Sequence, residues 1–266
     1  MSEILQHRGL DSKINPDQPN SFESFRQRFE QNIEMDVFLL KDGQVAVLHN
    51  KDLGLTQEQV EEMTLDELEK IKIPNKAGGQ EGVVPLFEES IFNNLDRGNG
   101  LVIELKASTP EKAVELTEKV MEKISYLLKE DETFLQHPEY LKQLGLHSFS
   151  VEALEAVGRQ MEEKNISISR GLLWTSNAKN ALEMKISATA IERSGYKDGD
   201  DWIEKGIEMA ERTKSESIDL HWSVINEEVV KKAHKKGIRV MAWVVNDSKK
   251  AEELKKMGVD ILATEK

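Results

Sequence analysis

Apolar positions along this chain alternate between two periods. Eight short runs, Ile4–Gln6, Ile33–Phe38, Leu101–Leu105, Leu144–Phe149, Arg170–Trp174, Ser217–Leu220, Arg239–Val244 and Asp260–Ala263, have the length and composition of strands. Between them, longer segments repeat apolar residues at three- and four-residue steps, which gathers them on one helix face. Start and stop signals frame those segments. Asn20, with Glu23 three residues on, caps a helix carrying Phe22, Phe25 and Phe29, and Thr109 before Pro110 opens a long one with Val114, Val120, Met121, Ile124 and Leu128. Toward the end, Asn226 caps a segment that stops at Gly237, and Asp247 or Ser248 one that stops at Gly258. Eight strand-helix alternations, with short connections near the C-terminus, predict an α/β fold that closes as a TIM (β/α)8 barrel rather than an open doubly wound sheet.

Two stretches depart from a minimal barrel. Lys41-Asp42-Gly43-Gln44 stands between two β-rich runs with an Asp-Gly pair for the turn, so Val45–His49 is predicted to fold back as an extra, antiparallel hairpin strand. Residues 52–84 then hold two capping boxes, Thr56 with Gln59 and Thr64 with Glu67, and the glycine-rich Lys76–Gly82, where a barrel needs only a short connection. This pattern reads as a small helical insertion over one end of the barrel. A lid and a surface excursion both fit it.

Length and composition narrow the classes. At roughly 150 residues per domain a chain of 266 has room for nearly two domains, but a barrel fills about 250 in one. No low-complexity stretch, proline-rich linker or repeat divides the chain, so residues 1–266 are predicted to form a single domain. Thirty-six Lys and Arg against 49 Asp and Glu leave a net charge of −13 with no block of basic residues, which argues against a nucleic-acid or anionic-membrane partner. The absence of cysteine removes disulfides, thiolate metal sites and cysteine nucleophiles. A mean hydropathy of −0.52 and the lack of long apolar runs predict no membrane span. The start, MSEILQHRG, has neither the basic nor the apolar region of a secretory signal, so the expectation is a soluble, cytoplasmic protein.

The candidate chemistry gathers at the ends of the first strands. Glu34 and Asp36 are two apart in a strand and point to one side, and the same holds for Glu104 and Lys106 in the third run. Strand C-terminal ends are where a barrel carries its catalytic groups, and an inward carboxylate needs a counter-charge or a metal to tolerate burial. Such hard oxygen ligands suit Mg²⁺ or Ca²⁺ rather than zinc. Of six histidines, His7 and His49 stand at strand ends flanking these carboxylates, and imidazoles of pKa about 6.5 can supply one acid and one base. Arg8 adds a rigid fork of donors matched to phosphate oxygens.

Each residue taken alone has a plainer explanation. A single strand-end carboxylate is ordinarily solvated, and only the convergence of five complementary positions, in a barrel interior that otherwise selects branched apolar side chains, points to a site. His147 is expected to be a satisfied core histidine, with a pocket role as the second reading. Trp243 is expected to pack in the core, with a substrate-facing wall second. His137, His221 and His234 show no partner pattern, His234 lying in a Lys-rich helix that favours exposure. The Lys-Lys pairs at 231–232, 235–236, 249–250 and 255–256 read as solvated helix faces.

These residues also carry a resemblance. His7-Arg8-Gly9, Ile33-Glu34-Met35-Asp36-Val37, Lys41-Asp42-Gly43, Val47-Leu48-His49 and Ile103-Glu104-Leu105-Lys106, in that order and spacing, resemble the motifs of the glycerophosphodiester phosphodiesterase family. Val240–Asn246 and Gly258–Thr264 look like its last two strands, so the similarity covers nearly the whole chain. The resemblance implies a barrel in which Glu34, Asp36 and Glu104 hold one divalent cation, Mg²⁺ or Ca²⁺, His7 and His49 perform acid–base work, and Arg8 and Lys106 contact phosphate. The implied substrates are small-molecule glycerophosphodiesters, cleaved through a cyclic phosphate to glycerol 3-phosphate and an alcohol such as choline or ethanolamine. Two other readings use the same residues: a related barrel phosphodiesterase or phospholipase that releases the cyclic phosphate, and a catalytically silent glycerophosphate-binding module. The intact histidines and carboxylates argue against silence.

Three motifs depart from the family pattern. Pro19-Asn20-Ser21 replaces Glu-Asn-Thr, His49-Asn50 replaces His-Asp, and Thr264-Glu265 replaces the usual Thr-Asp. Asn20 and Ser21 keep a capping role. Pro19 and Asn50 remove carboxylates that could orient nearby donors, and the Glu265 exchange reads as minor.

Overall fold

A strand covered on both faces has no solvated side on which to place polar residues, and the short apolar runs meet that demand. In the computed structural model they become β1 (Glu3–Gln6), β2 (Asn32–Leu39), β4 (Leu101–Leu105), β5 (Leu144–Ser148), β6 (Ser169–Trp174), β7 (Ser217–His221), β8 (Arg239–Trp243) and β9 (Ile261–Thr264). All eight are parallel, in the order β1-β9-β8-β7-β6-β5-β4-β2, and pairing of Leu5 and Gln6 with Asn32 and Ile33 closes the TIM barrel. The structure describes residues 2–9, 32–72, 84–95, 100–130, 132, 136, 138–175 and 201–266. The helix expected after Asn20, the Pro19 and Ser21 positions, the Lys76–Gly82 stretch and His137 lie outside them.

The hairpin strand β3 (Val45–Val47) runs antiparallel to β2, with Val37 opposite Val47 and Leu39 opposite Val45. It is two residues shorter than the pattern predicts. Leu48 still donates to the Asp36 carbonyl, but at His49 the chain turns into a one-turn 3₁₀ helix, Asn50–Leu53. Because β1 ends after four residues while β2 continues, β3 occupies the part of the β2 edge that β1 leaves free.

Helices cover the barrel where the apolar periodicity placed them: α3 (Phe87–Leu95), α4 (Pro110–Glu130), α5 (Val151–Lys164), α6 (Trp202–Arg212), α7 (Glu227–Lys235) and α8 (Ser248–Met257), after two short ones in the insertion, α1 (Gln57–Glu61) and α2 (Leu65–Leu68). Asn226 caps α7 through the Val229 amide. Asp247, not Ser248, caps α8, which Gly258 ends in the left-handed region (φ 91°). Thr56–Gln59 and Thr64–Glu67 are both complete capping boxes.

Between barrel and helices the core divides into two apolar layers, one centred on β2, β4, β5, α4 and α5, the other on β6–β9 with α6–α8. The insertion builds a third: Val60 and Leu68 pack with Phe38, Leu40, Ala46 and Leu48, on the hairpin face that also carries Asp36 and opposite the face of Val37, Val45 and Val47. Among the described residues, the apolar buried group inside the barrel is Leu5, Met241, Ile261 and Ala263. The opposite wall is polar. His147 is the satisfied core histidine expected, its Nδ1 bonded to the fully buried Asp219, which also accepts from Ser217 Oγ at 2.7 Å. That ring lies over Gly171, where a Cβ would overlap it. Gly171→Ala should therefore cost about 1–3 kcal/mol through overpacking, read as a lower Tm in a thermal melt. An unchanged Tm would mean the ring yields freely.

Candidate active site

Register explains why residues far apart in sequence meet at one mouth of the barrel. β1 ends with Gln6 beside Ile33, so His7 emerges at the level of Glu34. β3 descends along β2 until Leu48 meets the Asp36 carbonyl, so His49 arrives just above His7. On the other side of β2, Asp36 pairs in register with Glu104, and the Lys106 amide continues the ladder to the Val37 carbonyl. The hairpin is therefore what delivers His49 to the mouth.

Glu34, Asp36 and Glu104 each present a carboxylate oxygen within 4.8 Å of the others. Two cations sit among them. Lys106 Nζ lies 3.1 Å from Asp36 Oδ1 and 2.6 Å from Glu104 Oε1, and Arg8 Nε lies 3.1 Å from Asp36 Oδ2, near enough for an ion pair but not aligned as a hydrogen bond. Arg8 takes a left-handed backbone (φ 55°, ψ 26°), which a non-glycine residue adopts at a cost of about 1–2 kcal/mol. The turn aims its amide at Glu34 Oε2, 3.0 Å away, and a charge-assisted bond of this kind offsets the strain.

The charges do not balance. Burial would raise the Asp36 pKa, but Lys106 and Arg8 outweigh it and hold that carboxyl far below the ordinary range. Glu34 is pushed well up, first by burial and then by Asp36 and Glu104. Glu104 is raised as well, burial outweighing the attraction of Lys106. Three carboxylates, two buried and one partly buried, share two fixed cations, and an added cation would relieve the excess. All three donors are hard oxygens, so the set fits a divalent cation of the Mg²⁺ or Ca²⁺ kind.

Each histidine has its own carboxylate. His7 Nδ1 is 3.2 Å from Glu265 Oε1, and Nε2 faces Glu34 Oε2 at 3.9 Å. Glu265 is itself fixed by Asn246, whose Nδ2 donates to Oε2 at 2.8 Å and whose Oδ1 accepts from the Glu265 amide at 2.9 Å. His49 Nδ1 stands 3.6 Å from Asp52 Oδ1, too far for a hydrogen bond, while Asp52 Oδ2 takes Arg8 Nη1 at 3.2 Å. Burial is the largest influence on both imidazoles and lowers their pKa.

All seven ionic residues singled out from sequence, His7, Arg8, Glu34, Asp36, His49, Glu104 and Lys106, thus meet at one place. Trp243 does not join them. It stands on another arc of the mouth, half-buried, edge-on to Phe149 (6.2 Å) and His221 (5.4 Å), and it also packs on the apolar group inside the barrel. Its indole Nε1 is buried with no hydrogen-bond partner among the described residues. Sequence reasoning missed Asp52, Glu265 and Asn246. Asp52 had a signal, its three-residue step from His49. Asn50 lacks the family's carboxylate and instead donates to the Leu55 carbonyl at 2.8 Å, fixing the turn that presents Asp52. Glu265 is more than a minor exchange, since it holds His7 across 258 positions of sequence.

Known proteins resemble this chain along nearly its whole length. The family model described as "Glycerophosphoryl diester phosphodiesterase family" matches residues 7–266. A glycerophosphodiester phosphodiesterase of Caldanaerobacter subterraneus subsp. tengcongensis is 26% identical over 273 residues, covering 98% of this chain and 93% of the relative. YhdW of Bacillus subtilis is 25% identical over 275 residues, with the same two coverages. Among solved structures, an Oleispira antarctica phosphodiesterase in complex with the product sn-glycerol-3-phosphate superposes with a TM-score of 0.70 at 21% identity, over all of this chain and 93% of that one.

Proposed function

The chain belongs to the glycerophosphoryl diester phosphodiesterase family, and from that premise we propose that it hydrolyses glycerophosphodiesters to glycerol 3-phosphate and an alcohol. The observation that carries the reading is the set of three mutually close carboxylates flanked by two imidazoles, each beside its own carboxylate. The Oleispira antarctica complex with sn-glycerol-3-phosphate supports a substrate of this class. Residues 1–266 act as a single catalytic unit in this reading. Among the described residues no helix is long and apolar enough to cross a membrane, in keeping with a small-molecule substrate.

Glu34, Asp36 and Glu104 would hold a divalent cation, which when bound supplies positive charge at a phosphoryl oxygen and acidifies a hydroxyl. Arg8 and Lys106, which pair with Asp36 and Glu104, would bind the non-bridging oxygens of an entering diester. His7 donates its Nδ1 proton to Glu265, so Nε2 carries the lone pair and serves as the base for the glycerol 2-hydroxyl. Glu265 stabilises the imidazolium that results. His49, with Asp52 3.6 Å from its Nδ1, protonates the departing alcohol, and the roles reverse when water opens the five-membered cyclic phosphate.

Two measurements test the reading. Phosphorus NMR of a reaction with glycerophosphocholine or glycerophosphoethanolamine should show glycerol 3-phosphate as the final product. A stable cyclic ester would identify a cyclising enzyme instead, and no turnover of any diester a binding module. Chelator treatment should reduce turnover about 10²–10³-fold, as expected for a cation worth several kcal/mol, with recovery on adding Mg²⁺ or Ca²⁺. Full activity of metal-free protein would overturn the ligand assignment.

A further inference from the structure

Two carboxylates of the insertion reach residues at the barrel mouth. Asp52 is the first, through Arg8 and His49. The second is Glu61, the last residue of α1, a buried carboxylate about 50 residues from its partners in sequence. Glu61 Oε1 accepts from the Ser108 amide at 2.6 Å, Oε2 accepts from Ser108 Oγ, and Lys112 Nζ lies 3.1 Å from Oε2. Ser108 is two residues beyond Lys106, in the link from β4 to α4. The link is held on its other side as well: the Lys106 amide donates to the Val37 carbonyl at 3.0 Å, and Ser148 Oγ donates to the Leu105 carbonyl at 3.0 Å. Lys106 therefore sits between a fixed strand end and a fixed Ser108.

A buried carboxylate tolerates its position only when its lone pairs are met, and Glu61 has an amide, a hydroxyl and an ammonium. It also lies near the first turn of the 21-residue helix α4, where the helix dipole favours negative charge. Val60 beside it is buried in the core beneath the insertion, so the carboxylate is presented from a packed element rather than from a loose loop.

We propose that Glu61 is a positioning residue for the phosphodiesterase reaction: it fixes the segment after Lys106 and so sets where the ammonium meets the phosphate, and the insertion acts as a brace across the mouth rather than as a lid. The inference rests on the assignment of Lys106 to the phosphate. Loss of the carboxylate removes its bonds to the Ser108 amide and hydroxyl, and the segment relaxes toward water. A displacement of about 1 Å at a positioning contact can cost 10²-fold in rate, so Glu61→Ala should lose about 10²-fold in kcat/KM. Glu61→Gln, which keeps an acceptor for the Ser108 amide, should lose about tenfold.

The test is a double-mutant cycle of Glu61→Gln with Lys106→Met, with kcat/KM read on a glycerophosphodiester and Tm recorded for each variant. If Glu61 acts through Lys106, the double variant should be no slower than Lys106→Met alone, within about twofold. Losses that multiply, or a Glu61→Gln protein with a lower Tm and unchanged kcat/KM, would overturn the proposal and leave the enzyme assignment standing. If Glu61→Gln fails to fold, Ser108→Ala removes the hydroxyl arm alone and enters the same cycle. A wild-type protein that turns over no diester would sink the functional reading itself.

Discussion

A glycerophosphodiester analogue whose glycerol lacks the 2-hydroxyl should bind this protein but turn over about 10⁵-fold more slowly than its parent, the advantage that a well-oriented internal nucleophile holds over an external one. The phosphate contacts proposed for Arg8 and Lys106 do not involve that hydroxyl, so the analogue should remain a competitive inhibitor of the parent substrate with an inhibition constant near the parent KM. The group facing His7 Nε2 would be missing. No neighbouring side chain can replace it, because an attacking oxygen must be supplied and positioned within the substrate itself to reach such an effective concentration. Measuring phosphate-ester cleavage of both compounds under the same metal conditions decides the matter. Equal rates would make water the first nucleophile and end the two-step scheme.

Replacing either histidine should be nearly as damaging. His7→Ala and His49→Ala are each expected to lose about 10²–10⁴-fold in turnover, the range for a positioned acid or base, with folding retained. Folding should survive because neither side chain belongs to an apolar core cluster. The two variants should differ on a substrate with a good leaving group such as p-nitrophenol. His49→Ala should then recover in the first step, since the leaving group no longer needs a proton, and cyclic phosphate should accumulate because ring opening still lacks its base. His7→Ala should stay slow. Recovery of His7→Ala instead would exchange the two roles, and near-normal turnover of either variant on the natural diester would remove it from the mechanism. The supporting carboxylates should matter less: Glu265→Gln keeps the shape beside His7 and loses the charge that stabilises its imidazolium.

The sequence by itself determined the barrel and much of its site. Parallel strands buried on both faces write themselves as apolar runs, and helices that cover them write a three- and four-residue period, so Leu101–Leu105 is placed to the residue and β2 to within one at either end. Glu34 with Asp36, and Glu104 with Lys106, were legible because a two-residue step fixes which side of a strand a side chain takes. Caps were legible for the same local reason: Thr56, Thr64, Asn226 and Asp247 each bond a main-chain amide three residues away.

Only the tertiary structure decided what lies across the closure and across the insertion. Glu265 reaches His7 because β9 pairs with β1, a contact between the two ends of the chain that no local spacing records. Glu61 meets Ser108 because the insertion packs on the Phe38, Leu40 and Leu48 face of the hairpin and brings a helix end to the β4–α4 link. Charge balance was likewise invisible in the sequence. The number of acids and bases can be counted there, but which carboxylate keeps its charge depends on burial and on the two cations within 3–4 Å, Lys106 and Arg8 holding Asp36 ionised while Glu34 is pushed upward. Local rules act over a few residues of chain, whereas desolvation and Coulomb interactions act through space, and the barrel alone sets which residues are near in space.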